Sequence, residues 1–110
     1  MKLILGKRGS GKTTKAIANA YANNAIIITY CNKEASYVKE KAKLMGMDVD
    51  AVGIEKYLEE VKYGKYIGKK VVIDELDCVL NNLFHTKVLC CTSSCESEYL
   101  MGGYDAEEEK

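Results

Sequence analysis

The sequence predicts an α/β domain, a three-layer α/β/α sandwich around a mainly parallel sheet of about five strands. Short apolar runs alternate with stretches of helical periodicity along the chain. The apolar runs show little polar–apolar alternation, the pattern of strands covered on both faces. Buried strands separated by helices require right-handed crossovers, and these generate a parallel sheet with helices on both sides. The 110 residues fit one domain, and so short a chain has modest intrinsic stability to which a ligand or partner adds.

Lys2-Leu3-Ile4-Leu5, ending at Gly6, is the first strand. A helix follows from Gly11 or Lys12 to about Ala22, because Ala16, Ile17, Ala20 and Tyr21 fall on one face; Asn23-Asn24 stops it. Residues 25–30 form a β-prone second strand. Asn32 is placed as the N-cap of a second helix, marked by Ala35, Val38, Ala42 and Met45, with Gly46 at its C-terminal cap. Residues 48–52 make a short third strand. Ile54, Tyr57, Leu58 and Val61 mark a third helix, and residues 64–68 a turn. Val71-Val72-Ile73 is the fourth strand, running into Asp74-Glu75. Leu76, Val79, Leu80 and Leu83 give the fourth helix, and Val88-Leu89-Cys90-Cys91 a fifth strand ending in Thr92-Ser93-Ser94. Tyr99-Leu100-Met101 reads as a short strand or one helical turn. The domain is assigned to residues 1–94, and residues 95–110 to a C-terminal extension with an acidic tail.

The chemistry concentrates at Gly6-Lys7-Arg8-Gly9-Ser10-Gly11-Lys12-Thr13. Glycine permits φ > 0 and lets backbone N–H groups approach an anion closely. The loop opens a helix, whose orphan N–H groups and dipole favour negative charge. Lys12 supplies a point charge for the β and γ phosphates, Thr13 a hydroxyl for magnesium, and Ser10 and Thr14 further contacts. This segment resembles the Walker A motif of P-loop NTPases, in the strand–loop–helix setting that motif needs. A phosphate-bound magnesium also needs a carboxylate. Val71-Val72-Ile73-Asp74 resembles a Walker B motif, and the carboxyl ends of parallel strands are where its Asp74 and the loop would meet.

Resemblance to the catalytic-glutamate division of these proteins, RecA- and helicase-like or small phage-type ATPases, implies three things. Glu75 is the general base, Thr92, with Ser93 as the alternate, senses the γ phosphate, and the fold is of P-loop NTPase type. Gly6, Arg8, Gly9, Ser10, Gly11, Lys12, Thr13 and Thr14 then bind ATP, with Mg2+ held by Thr13 and Asp74. The other role open to Glu75 is to complement the dipole of the helix that follows. Arg8 is the sole arginine against fifteen lysines, too few for the arginine lid of a nucleoside or nucleotide kinase. An arginine finger adds about 10³ to 10⁵ in rate, so hydrolysis is expected to be slow, or the domain to act as a nucleotide-binding regulatory module. A partner protein, a second subunit's Lys69, Lys70 or Lys87, or Arg8 presented in trans would have to supply the cation. Asn32-Lys33-Glu34-Ala35 resembles a guanine-reading motif but lacks its aspartate, and ATP is preferred over GTP.

The remaining features set limits. Residues 1–94 carry 15 basic and 10 acidic side chains, residues 95–110 one and six. Nucleic acid is therefore permitted by charge but not indicated by it. Tyr63 and Tyr66 among Lys62, Lys65, Lys69 and Lys70 make either a stacking patch for single strands or a solvated loop. No apolar run approaches the roughly 18 residues of a membrane span, and the first strand runs straight into the glycine loop, so a cytoplasmic protein is expected. Without a secretion signal, Cys31, Cys78, Cys90 and Cys91 are expected to be small buried apolar residues rather than disulfides or zinc ligands. His85 is expected in a surface turn.

Overall fold

The computed structural model describes residues 1–104, and the acidic tail, residues 105–110, lies outside them. The elements run β1 (Lys2–Gly6), α1 (Lys12–Asn23), β2 (Ile26–Thr29), α2 (Asn32–Leu44), β3 (Ala51–Gly53), α3 (Ile54–Val61), β4 (Val71–Ile73), α4 (Leu76–Phe84) and β5 (Glu96–Leu100). The described residues form an α/β domain with four helices and five strands, and every pairing between these strands is parallel.

The core forms around β2, whose four residues are all buried. Successive strand side chains point to opposite faces, so Ile27 joins one cluster with Ile17, Ala20, Val38 and Ala42 from α1 and α2. Ile26 and Ile28 join the other, with Ile54 and Val79 from α3 and α4 and with Tyr57 and Tyr66 at its margin. Helices thus cover both faces of the β3-β2-β4 sheet. The helix ends follow local chemistry. Asn24 closes α1 at φ 50°. Gly46 at φ 72° turns the chain after α2, where its N–H reaches Lys43 O at 3.0 Å and that of Met47 reaches Ala42 O at 2.9 Å.

Several expectations are corrected. The strands form two sheets, β1-β5 and β3-β2-β4, instead of one. Residues 88–91 are not a strand: residues 87–95 have no regular structure, and Leu89 is 90 % exposed. Glu96 pairs with Lys2 at the amino end of β1, so the residues before it must bring the chain to that end of the sheet. The segment instead carries the chain from α4 back to the start of β5. β1 and β4 are not paired with each other, and Leu5, Val71 and Ile73 stay 46 %, 42 % and 46 % exposed.

β5 lies in what the sequence reads as an extension, but it pairs with β1 along five residues. Glu98 on β5 meets Lys2 at 3.5 Å and Lys15 of α1 at 3.6 Å, so residues 96–100 belong to the folded unit. Cys90 and Cys91 are exposed and Cys31 and Cys78 half-buried, and all five cysteines are free. The N-cap of α2 is Cys31; the Asn32 side chain instead accepts from Gly53 N at 3.0 Å, tying the end of β3 to α2. His85 lies in an exposed turn after α4.

Candidate functional site

The site sits at the carboxyl ends of β1, β2 and β4, where the chain leaves each strand toward a loop or helix. Gly9 and Gly11 take φ values of 77° and 93°, which a side chain would strain. Gly6 serves packing: a Cβ there would collide with Ser10 Oγ. α1 begins at Lys12, so its first N–H groups have no acceptor within the helix and face the loop. Lys12 Nζ donates to Gly6 O at 2.8 Å and Lys7 O at 2.9 Å, curling over the loop with its third proton unused by either bond.

Thr13 Oγ1 donates to Asp74 Oδ2 at 3.0 Å, a contact across 61 positions of sequence. Asp74 is 4 % exposed. Burial pushes its pKa up, while the Thr13 hydrogen bond and the Lys12 charge oppose the rise. Its backbone N–H bonds Ile28 O at 3.0 Å, which fixes the carboxylate at the end of β4. Glu75 holds φ 57° as the residue preceding α4, an uncommon conformation for a non-glycine residue, and its side chain makes no cap hydrogen bond. Burial raises its pKa as well, with Lys12 opposing and Asp74 reinforcing the shift.

A cavity of about 490 Å³ opens here, within the range of ligand pockets. Arg8, Gly9, Gly11, Lys12 and Thr13 line its loop side. Tyr30, Glu34, Tyr37 and Lys41, from the end of β2 and from α2, form the facing wall, with Glu75 and Cys78 between. Glu75, Asp77 and Cys78 place one ligand atom each within 4.8 Å of one another.

Of the expected site residues, Lys12, Thr13, Asp74 and Glu75 come together. Ser10 does so less than expected, since its N–H is committed to Lys7 O at 3.1 Å and its hydroxyl is tucked under the loop with no partner. Gly6 and Thr14 do not line the cavity. Thr92 is exposed in the unstructured 87–95 segment and is not brought to the site, because the strand expected to carry it is absent. Lys69 and Lys70 precede β4, at the end of that strand away from Asp74, where Lys69 Nζ reaches Asn24 Oδ1 at 3.3 Å. Tyr66 stacks on Tyr57 at 5.3 Å and donates to Glu60 at 3.3 Å, so the aromatic patch is half committed to packing, although Tyr63 stays exposed.

Tyr30, Glu34, Tyr37 and Lys41 belong to no motif in the sequence. Their one signal was position, just beyond a strand ending at the same sheet edge. No helix among the described residues is long and apolar enough to cross a membrane. Comparison with protein-family models, curated proteins and solved structures finds no match to this chain.

Proposed function

We propose that this chain is a P-loop NTPase domain of three-layer α/β/α type that binds ATP with magnesium and hydrolyses it slowly to ADP and phosphate. The observation that carries this is the 3.0 Å contact between Thr13 Oγ1 and Asp74 Oδ2 at the mouth of the glycine loop. Adjacent ligand oxygens of an octahedral ion at 2.0–2.1 Å lie about 3 Å apart, so this donor pair, one hydroxyl and one buried carboxylate, fits magnesium. Bound magnesium would neutralise charge developing on the β and γ phosphates.

The residues divide the work. The N–H groups at the start of α1 hold the phosphate chain, and Lys12 turns from the loop carbonyls toward it. Glu75 accepts a proton from the attacking water as the new oxygen–phosphorus bond forms and the β–γ bridge breaks. A carboxylate with a raised pKa is a better proton acceptor than an ordinary one, and its lack of a capping bond leaves it free for that role. Among the described residues, no cation besides Lys12, Arg8 and Lys41 lines the cavity, in keeping with slow turnover unless a partner supplies one.

The test is a titration with ATP and GTP, with and without magnesium, read alongside phosphate release. Lys12→Ala should weaken binding at least about tenfold, the loss of charge-assisted hydrogen bonds. Glu75→Gln should keep binding and lower turnover by about 10²- to 10⁴-fold. Undiminished hydrolysis by Glu75→Gln removes its assigned role. A second reading, a nucleoside or nucleotide kinase, is favoured by one observation: the cavity is lined by Tyr30, Glu34 and Tyr37 as well as by the glycine loop. ADP formation that requires an added nucleoside and releases no phosphate would select it.

A further inference from the structure

We propose that Tyr104 is the platform on which the base of the bound nucleotide stacks, an assignment that rests on the nucleotide-binding reading above. β1 and β5 run parallel, with Gly6 opposite Leu100, so the chain leaves both strands side by side at the same end. Gly102 and Gly103, at φ 92° and 74°, then turn it back over the glycine loop. Gly103 fits only without a side chain, since a Cβ would lie 2.6 Å from Arg8 O and 2.9 Å from Ser10 N. Beyond it, Tyr104 N donates to Arg8 O at 2.8 Å in an antiparallel bridge. The ring lies over Gly9, where an added Cβ would be 3.1 Å from Tyr104 Cε1.

Tyr104 is 42 % exposed and belongs to neither hydrophobic cluster. It is therefore held on the rim of the loop by backbone contacts, with part of its ring free. The polarity of the site assigns it a ligand end. The terminal phosphate must face Glu75, Thr13 and Asp74, and the wall around Glu75 carries Glu34 as well. That leaves the nucleoside to emerge from the other end of the phosphate chain. Tyr104 approaches the loop from the β1-β5 sheet, whereas Asp74 and Glu75 approach from the β3-β2-β4 sheet. Every base has a π-face, so stacking on one tyrosine recognises that a base is present without choosing among bases. The ligand class is a purine or pyrimidine nucleoside triphosphate.

The chain contains no tryptophan, so Tyr104→Trp introduces a single fluorescent reporter. Magnesium–ATP should change its emission, whereas magnesium–tripolyphosphate, bound as followed by calorimetry, should leave it nearly unchanged. Tyr104→Ala should lose about 5- to 150-fold in ATP affinity and keep tripolyphosphate affinity, and Tyr104→Phe should restore ATP. The assignment is overturned if Tyr104→Ala binds ATP like the parent protein, or loses ATP and tripolyphosphate equally. It is also overturned if a Tyr37→Trp reporter responds to ATP alone while Tyr104→Trp is silent. Failure of the parent protein to bind either ligand would instead remove the nucleotide reading itself, and this assignment with it.

Discussion

Asp74→Asn should have opposite effects on the free and the liganded protein. The residue is 4 % exposed, and burial raises its pKa above the ordinary carboxylate value. Between the ordinary and raised values the folded protein binds more protons than the unfolded one, so stability falls as pH rises through that window. Above it the cost of the buried charge is fully present. Asparagine keeps an oxygen for the Thr13 hydroxyl and removes that charge. The free variant should therefore melt higher than the parent at pH 7, and the two should converge as pH drops below the ordinary carboxylate range.

With ligand the order reverses. At 100 times its dissociation constant, magnesium–ATP adds about 2.7 kcal/mol to the parent, a rise of roughly 10–20 °C for a domain of this size. A lost charge-assisted contact of about 1.5–3 kcal/mol weakens binding roughly 10- to 150-fold. At the same ligand concentration the variant then gains only about 0.3–1.4 kcal/mol. Thermal denaturation of both proteins from pH 4 to 8, with and without magnesium–ATP, reads all of these quantities. A free variant that melts lower at pH 7, or a ligand shift equal to the parent's, would refute the assignment of Asp74 as a buried metal-side carboxylate.

Three further outcomes test the fold. Ile27 is fully buried between α1, α2 and the sheet, so Ile27→Ala should cost about 2–5 kcal/mol in chemical denaturation, a large part of a small domain's stability. A Cβ at Gly53 would lie 2.8 Å from the backbone at Cys31 and Asn32, so Gly53→Ala should shift the β3–α2 junction and lower the melting temperature, whereas loss of nothing would contradict the Asn32–Gly53 contact. Cys90 and Cys91 are exposed and Cys31 and Cys78 half-buried; a thiol reagent should modify the first pair much faster than the second in the native protein, and equal rates would contradict the exposed course of residues 87–95.

What the sequence disclosed was the part written locally. α1, α2, α3 and α4 each carry apolar side chains at helical spacing, and the glycine loop stands out as three glycines directly before a helix start. Asp74 was legible for the same reason, as an acid ending an apolar run. Sheet membership was not, because it depends on where the chain must go next. Val88-Leu89-Cys90-Cys91 has the composition of a buried strand, but it lies in the connection that returns the chain from α4 to the start of β5. Tyr99-Leu100-Met101 reads as a short strand or one helical turn, and Tyr99 and Leu100 end β5, which begins earlier, at Glu96. β5 holds its place partly because Lys2 and Lys15 flank Glu98. Asn32 shows the same limit at a single residue: its composition suits a cap, and tertiary contact with Gly53 claims the side chain instead.

The separation of the two sheets gives the site a mechanical meaning. No strand pairing joins β1 to β4, so the sheets are held together by α1, which packs on β1, β2 and β4, and by the polar contact from Thr13 to Asp74. α1 is also the helix whose N-terminus would carry the phosphates. A ligand that binds its first turn while engaging Asp74 therefore crosses the one boundary that the strands leave open. Its binding energy enters the fold where backbone hydrogen bonding is missing, and disappears from there when it leaves. Hydrogen exchange localises this: magnesium–ATP should slow exchange most at β1 and β4, whose edges are unpaired, and least at β2, which is hydrogen-bonded on both sides. Protection confined to the glycine loop would mean that the sheets are coupled by α1 alone and that the Thr13–Asp74 contact carries no load between them.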